Sequence, residues 1–309
     1  MASASVPGPD RRSVPAGLVF RRWRAPDGWD HRAWAWPADG TPRGSLIVQT
    51  GRADHLEKYV EALHHLHGRG WSLAGFDWRG QGGSGHLGRD PAIGHCADFD
   101  PLLDDLDAFV RDWRAATPGP HLLAGHSMGG HLVLRLLAER APAVDGAALV
   151  APMLGLRTGP LPPALARAIA RGACRLGLGE RTVLRSGPAP RAWLTGCPDR
   201  YADAQWWRAR HPELSRGEPS WGWVAAAFDS IARLCAPGVL ERVTQPVLLL
   251  AAARDALVST EATRAAAARL PDARLHIVPD AAHELLREAD RARLAAFAAL
   301  DAFLEGVAA

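Results

Sequence analysis

Gly125-His126-Ser127-Met128-Gly129 is the stretch that most narrows what this chain can fold into. The apolar run His121-Leu122-Leu123-Ala124 leads into it, and a helical pattern from His131 to Ala138 leads out. This predicts a strand, a sharp turn and a helix, with a serine at the apex. A serine there is forced into a strained backbone conformation that lifts its hydroxyl clear of the sheet. Glycines are needed on either side because side chains would clash where strand and helix nearly touch. At the start of the helix, the backbone N–H of Met128 can face a developing oxyanion. Three fixed letters alone occur by accident in a Gly-rich chain; the strand and helix around them give the motif its weight.

A serine hydroxyl is a poor nucleophile at neutral pH. It needs a base within hydrogen-bond reach, and the base needs an orienting acid. Asp255 directly follows the apolar run Val247 to Ala251, and His283 follows the run Leu275 to Val278. Both lie just past strand C-terminal ends, where open α/β sheets place their sites. Singly, each would read as a turn or loop residue. Together with Ser127 they stand in the order serine, aspartate, histidine, the order that hydrolases built on such a sheet use. Asp280 is the nearest rival acid, but it precedes His283 by only three residues and reads as a turn former.

The rest of the chain supports such a sheet. Leu18–Trp23 and His31–Trp36 read as paired antiparallel strands around a Pro-Asp-Gly turn. Gly44–Gln49, Trp71–Phe76, His121–Ala124, Gly146–Val150, Pro246–Ala251 and Arg274–Val278 read as core strands. Helical periodicity falls at 54–67, 98–113, 261–270 and 291–304. Alternating strand and helix predicts a mostly parallel, twisted α/β sheet flanked by helices. The alternation breaks between 154 and 237, which is Pro- and Gly-rich with helical pieces at 163–176 and 221–234. The expected organisation is a disordered lead-in at 1–15, a core at 16–153, an inserted helical lid at 154–237, and the rest of the core at 238–309.

Composition excludes several function classes. Lys+Arg is 36 and Asp+Glu is 33, a net charge of +3, too small to imply a nucleic-acid partner without a recognised basic motif. The N-terminus lacks the apolar segment of a secretory signal, and no apolar run approaches a bilayer span. The four cysteines, at 96, 174, 197 and 235, have no metal-ligand spacing and suggest a reducing compartment. The protein is therefore expected to be soluble and cytoplasmic, with any membrane contact peripheral. His64, His65 and His67 cluster without flanking carboxylates, so no metal is expected. Gly80, Gly82, Gly83 and Gly85 resemble a phosphate-cradling loop, yet no P-loop lysine or dinucleotide fingerprint follows. That segment reads as an ordered loop supporting the site, and no cofactor is implied.

Two further stretches carry a family resemblance. They are Gly51-Arg52-Ala53-Asp54-His55-Leu56-Glu57-Lys58-Tyr59 and Asp77-Trp78-Arg79-Gly80-Gln81-Gly82-Gly83-Ser84-Gly85. With the serine elbow, they make the chain similar to α/β-hydrolases of the lysophospholipase and monoacylglycerol lipase branch, over about 44–153 and 245–290. The resemblance implies the α/β-hydrolase fold and hydrolysis of a lipid ester through an acyl-enzyme, with a lysophospholipid as first substrate. It places Arg52 after the tight glycine, Gly51, so that the Arg52 backbone N–H is the second oxyanion donor beside Met128. Gly51 and His55 are the candidate substrate-binding residues, His55 at the substrate entrance. One departure is Thr50, where monoacylglycerol lipases usually carry histidine; it shifts weight toward lysophospholipids.

The lid carries Arg167, Arg171, Arg175, Arg181, Arg185 and Arg191, and Trp193, Trp206, Trp207, Trp221 and Trp223. A basic rim for a phosphate headgroup or anionic membrane surface, with tryptophans lining an acyl pocket, is one reading. Solvated helix faces and a small packed lid are the other. Rival functions that use the same residues are a monoacylglycerol lipase, a broad carboxylesterase, an acyltransferase, a peptidase or a C–C hydrolase. A catalytically silent binding module is the alternative of a different class.

Overall fold

The computed structural model describes residues 9–183 and 189–309. Along the chain come β1 (Val19–Arg24), β2 (Asp30–Trp36), β3 (Gly44–Gln49), α1 (Val60–Gly68), β4 (Trp71–Phe76), α2 (Asp100–Ala116), β5 (His121–His126), α3 (Met128–Arg140) and β6 (Gly146–Val150). Then follow α4 (Pro163–Arg175), α5 (Arg191–Leu194), α6 (Pro198–Arg210) and α7 (Trp221–Leu234). The chain ends with β7 (Val247–Ala252), α8 (Thr260–Ala267), β8 (Ala273–Val278) and α9 (Asp290–Ala308).

The strands form one sheet in the order β1-β2-β4-β3-β5-β6-β7-β8. The first two form an antiparallel hairpin, with Trp23 opposite His31, and β2 runs antiparallel to β4. From β4 to β8 every pairing is parallel. Strands β3, β5 and β7 are continuous apolar runs because both faces are covered. Successive side chains point to opposite faces. Ile47, Leu123 and Leu249 therefore pack with residues of α2, α3 and α7, while Leu46, Leu122 and Leu248 pack with residues of α1 and α9. The result is the expected mostly parallel sheet between two helical layers.

Two differences from the sequence reading have physical causes. Helix α1 begins only at Val60; Leu56–Tyr59 form a 3₁₀ turn, which leaves Asp54 and His55 in the connection after β3. Helix α6 escapes hydrophobic periodicity because its buried face is charged. Arg200 pairs with Glu61 at 2.5 Å and Asp290 at 2.7 Å. Asp203 takes Arg11 at 2.5 Å and Arg12 at 2.7 Å. Residues 1–8 of the expected lead-in, and Arg185, lie outside the described residues. Among the described residues, no helix is long and apolar enough to cross a membrane.

Candidate active site

Ser127 sits between the last residue of β5 and the first of α3, with φ 54° and ψ −116°. A non-glycine residue with positive φ is strained and persists only where its surroundings fix it. Here the Ser127 N–H donates to Val150 O at 2.9 Å, and its carbonyl accepts from His131 N–H and Met153 N–H, each at 3.0 Å. The glycines allow the close approach. A Cβ on Gly125 would lie 2.7 Å from the Gly129 and Gly130 backbone, and one on Gly129 would lie 2.5 Å from Thr50 O.

The three residues read from the sequence meet at the carboxyl edge of the sheet. Ser127 Oγ lies 3.0 Å from His283 Nε2, and His283 Nδ1 lies 2.7 Å from Asp255 Oδ2. The other Asp255 oxygen accepts from the N–H groups of Leu257 and Val258, at 2.8 and 2.9 Å. Burial pushes the Asp255 carboxyl toward its neutral form. The His283 imidazole and the two backbone donors outweigh this and hold it below the usual carboxylate range. Asp255 is thus an ionised, fully bonded acceptor. Asp280 is exposed, turned away at positive φ, and 3.8 Å from Arg254.

Gly51 brings the turn after β3 against the elbow: a Cβ there would be 3.2 Å from Ser127 Cβ. Neither the Arg52 N–H nor the Met128 N–H donates to a protein acceptor among the described residues. The next amide, Ala53 N–H, donates to Gln81 Oε1 at 2.5 Å, and Gln81 Nε2 reaches Met128 Sδ at 3.9 Å. The Gly-rich loop therefore braces both candidate oxyanion donors through Gln81. His55 is buried and 3.0 Å from Glu57 Oε2, a carboxylate that also binds Arg32 at 2.6 Å.

A buried polar cluster that includes His126 of the elbow lies behind these residues. Tyr59 OH lies 2.7 Å from Asp54 Oδ2 and 2.8 Å from His126 Nδ1. The His126 ring is 4.8 Å from that of His283, and its Nε2 is 3.3 Å from the His283 carbonyl. Burial keeps His126 neutral, and burial beside Asp54 raises the Tyr59 hydroxyl well above its ordinary range. The available signal was adjacency: His126 and Glu284 flank Ser127 and His283 directly.

The inserted segment touches the histidine loop. Glu284 N–H donates to Leu194 O at 2.8 Å, and Thr195 Oγ donates to Arg287 O at 2.8 Å. Trp193 beside them is exposed, whereas Trp207 and Trp223 are buried. Arg167 binds Asp229 at 2.8 Å, linking α4 to α7, and Arg191 donates to the Gly196 carbonyl. Arg171, Arg175 and Arg181 line an open groove of about 950 Å³ that Ser127, Asp255 and His283 do not line. His64 and His67 pack on Trp36, and His65 lies 3.0 Å from Asp301.

Comparison with known proteins agrees with this architecture. The sequence profile described as serine aminopeptidase, S33, matches residues 40–290. A probable lysophospholipase L2 from Haemophilus influenzae is 29% identical over 270 residues, covering 85% of this chain and 84% of that protein. Lysophospholipase L2 of Escherichia coli is 31% identical over 275 residues, covering 82% and 78%. A solved monoglyceride lipase from Saccharomyces cerevisiae superposes with a TM-score of 0.75 at 18% identity, covering 96% of this chain and 98% of that one. With an eight-stranded sheet of this order and a profile match across most of its length, the chain belongs to the serine aminopeptidase S33 family and has the α/β-hydrolase fold.

Proposed function

We propose that the protein is a serine carboxylic-ester hydrolase that deacylates lysophospholipids through an acyl-enzyme. The observation that carries this is the hydrogen-bonded chain Asp255–His283–Ser127, at 2.7 and 3.0 Å. Ser127 Oγ attacks the ester carbonyl while His283 Nε2 takes its proton. His283 then returns the proton to the leaving alcohol, and Asp255 orients the imidazole and stabilises its charged form. The backbone N–H groups of Met128 and Arg52 hold the oxyanion. Water, deprotonated by His283, releases the fatty acid. The two lysophospholipase L2 relatives, matched over most of the chain, support a lipid ester over a peptide.

In this reading, residues 154–237 act as the lid and α4 meets the lipid surface from the cytoplasmic side. Leu165, Ile169 and Leu176 are exposed at intervals of four and seven residues, with Arg167, Arg171 and Arg175 on the same helix. An exposed apolar stripe beside basic side chains suits a peripheral contact.

The test is fatty-acid release from lysophosphatidylcholine, from a monoacylglycerol of the same chain, and an aminoacyl p-nitroanilide as peptidase control. Wild type is expected to favour the first, and Ser127→Ala to lose turnover and fluorophosphonate labelling with unchanged thermal unfolding. Equal or better turnover of the neutral glyceride would favour the monoacylglycerol lipase or broad carboxylesterase instead. Undiminished turnover by Ser127→Ala would remove the mechanism.

A further inference from the structure

Arg52 is half-buried, and it is bonded unlike the other buried and half-buried arginines of this protein. Arg32 holds Glu57 and Asp77, Arg135 holds Glu139 and Asp100, and Arg200 holds Glu61 and Asp290. Arg216 lacks a carboxylate but donates to five backbone carbonyls. Arg52 makes one hydrogen bond among the described residues, from Nη1 to Gly217 O at 2.9 Å, and no carboxylate lies within 4 Å. Glu218 and Asp54 favour its charged form from farther off, and Arg208 opposes them. A guanidinium has five N–H donors, so most of this one's capacity is uncommitted. Its desolvation is reflected in a pKa pulled below the usual arginine range.

Its position matters more than its poverty of partners. Arg52 follows Gly51, whose Cα packs against Ser127. Its side chain runs from the carboxyl edge of the sheet to the inserted segment, with Cζ 5.4 Å from the Trp223 ring. The Trp223 indole Nε1 is itself buried without a hydrogen-bond partner. Leaving a buried donor such as the Trp223 indole N–H unsatisfied costs stability. An anionic ligand group seated here would take up the spare donors of the half-buried Arg52 guanidinium. A lysophospholipid carries a phosphodiester only a glycerol backbone away from its ester carbonyl.

We propose that the Arg52 side chain is the phosphate-recognition group of the substrate site, binding the headgroup phosphate while the same residue's backbone N–H faces the ester oxyanion. This rests on the lysophospholipid reading above, and it adds the residue that separates a phosphate-bearing substrate from a neutral glyceride. One residue then reads both ends of the glycerol unit. A guanidinium suits the task because its planar fork matches two phosphate oxygens.

The experiment measures kcat/KM for short-chain lysophosphatidylcholine and for the monoacylglycerol of the same chain, in wild type, Arg52→Gln and Arg52→Lys. Their ratio divides out any damage to the shared ester chemistry or to the Gly217 contact. Arg52→Gln is expected to lower the ratio by about 10- to 100-fold, with Arg52→Lys between, since it keeps the charge and loses the fork. A second arm uses sn-glycerol 3-phosphate and inorganic phosphate as inhibitors of p-nitrophenyl butyrate hydrolysis. Glycerol phosphate is expected to compete in wild type and to weaken by about tenfold in Arg52→Gln. An unchanged ratio in both variants overturns the proposal, because a structural clasp lowers both substrates together. Inhibition by inorganic phosphate with an unchanged ratio also overturns it, leaving a free-anion site. If wild type deacylates neither lipid while glycerol phosphate still competes through Arg52, the lipid reading falls and the phosphate site stands.

Discussion

Lys58 Nζ lies 2.5 Å from Glu284 Oε1, joining the turn after β3 to the residue that follows His283. The same ammonium lies 2.5 Å from Asp54 Oδ1. Through Tyr59, Asp54 is connected to His126, the residue before Ser127. One cation thus ties together the three segments that carry the proposed nucleophile, base and second oxyanion donor. Burial pushes both carboxyls toward their neutral forms. Lys58, with His126 at Asp54 and Arg287 at Glu284, more than offsets this and keeps them ionised.

Replacing Lys58 by Met leaves two buried carboxylates facing each other without their shared cation. Breaking a buried pair costs roughly 3–5 kcal/mol, and the partial exposure of Lys58 moves the expectation to about 2–3 kcal/mol. Urea unfolding at pH 7 measures it. Because the His283 loop is held through Glu284, kcat is expected to fall at least about tenfold from misplacement alone. A kcat within twofold of wild type would show that the network supports the fold without positioning the base.

Asp255→Asn tests the orienting role separately from folding. The amide oxygen can still accept from Leu257 and Val258 N–H, as Asp255 Oδ1 does. Its NH₂ then faces His283 Nδ1, so the imidazole must carry its proton on Nε2 and point it at Ser127. The base is blocked while the geometry survives. In serine proteases the same change lowers kcat by about 10⁴, and a loss of that order is expected here with little change in KM. Steady-state kinetics on a soluble p-nitrophenyl ester decides it; a loss under tenfold would remove Asp255 from the triad.

The sheet was legible because its strands announce themselves. Gly44–Gln49 and Trp71–Phe76 are apolar runs between turn residues, and both observed strands have those limits. The meeting of Ser127, Asp255 and His283 was legible because each follows a strand, and parallel strands deliver their ends to one edge. The supporting cluster was not. Lys58 and Tyr59 stand in the stretch that carries the family resemblance, but nothing local says that Glu284, far along the chain, completes the cluster with them. Helix α6 was missed for a related reason: Arg200 and Asp203 occupy the buried face where periodicity looks for apolar residues. Partners distant in sequence satisfy them, Glu61 and Asp290 for Arg200 and Arg11 and Arg12 for Asp203, and no local pattern encodes those.

Gly129→Ala probes the close approach at the elbow. The added methyl would sit 2.5 Å from Thr50 O and 2.8 Å from Gln49 O, both backbone atoms that cannot rotate away. Strand β3 and helix α3 must then separate. Overpacking of this kind costs about 1–3 kcal/mol, and the shift opens the gap between the Arg52 and Met128 amides. A lower thermal midpoint with kcat reduced by about tenfold or more is expected. A variant with wild-type stability and turnover would show that the elbow tolerates a side chain.

His131 gives the fold a pH dependence of predictable sign. It is fully buried on α3, with Nε2 2.6 Å from Ser230 Oγ and Arg135 one turn along the helix. Burial, helped by Arg135, depresses its pKa to about 3 from 6.5. The folded state therefore holds His131 neutral while the unfolded chain protonates it below pH 6.5. Between these values the unfolded state binds about one more proton, so stability is complete above pH 6.5 and falls as pH drops toward 3. From pH 7 to pH 5 the loss from this residue is about 2 kcal/mol. His126, also held neutral by burial, adds in the same direction. Urea unfolding of wild type and His131→Gln at both pH values isolates the His131 share. The variant is expected to lose about 2 kcal/mol less across the interval. Identical losses in the two proteins would mean that the imidazole is charged inside the fold, and that Ser230 and its neighbours stabilise the cation.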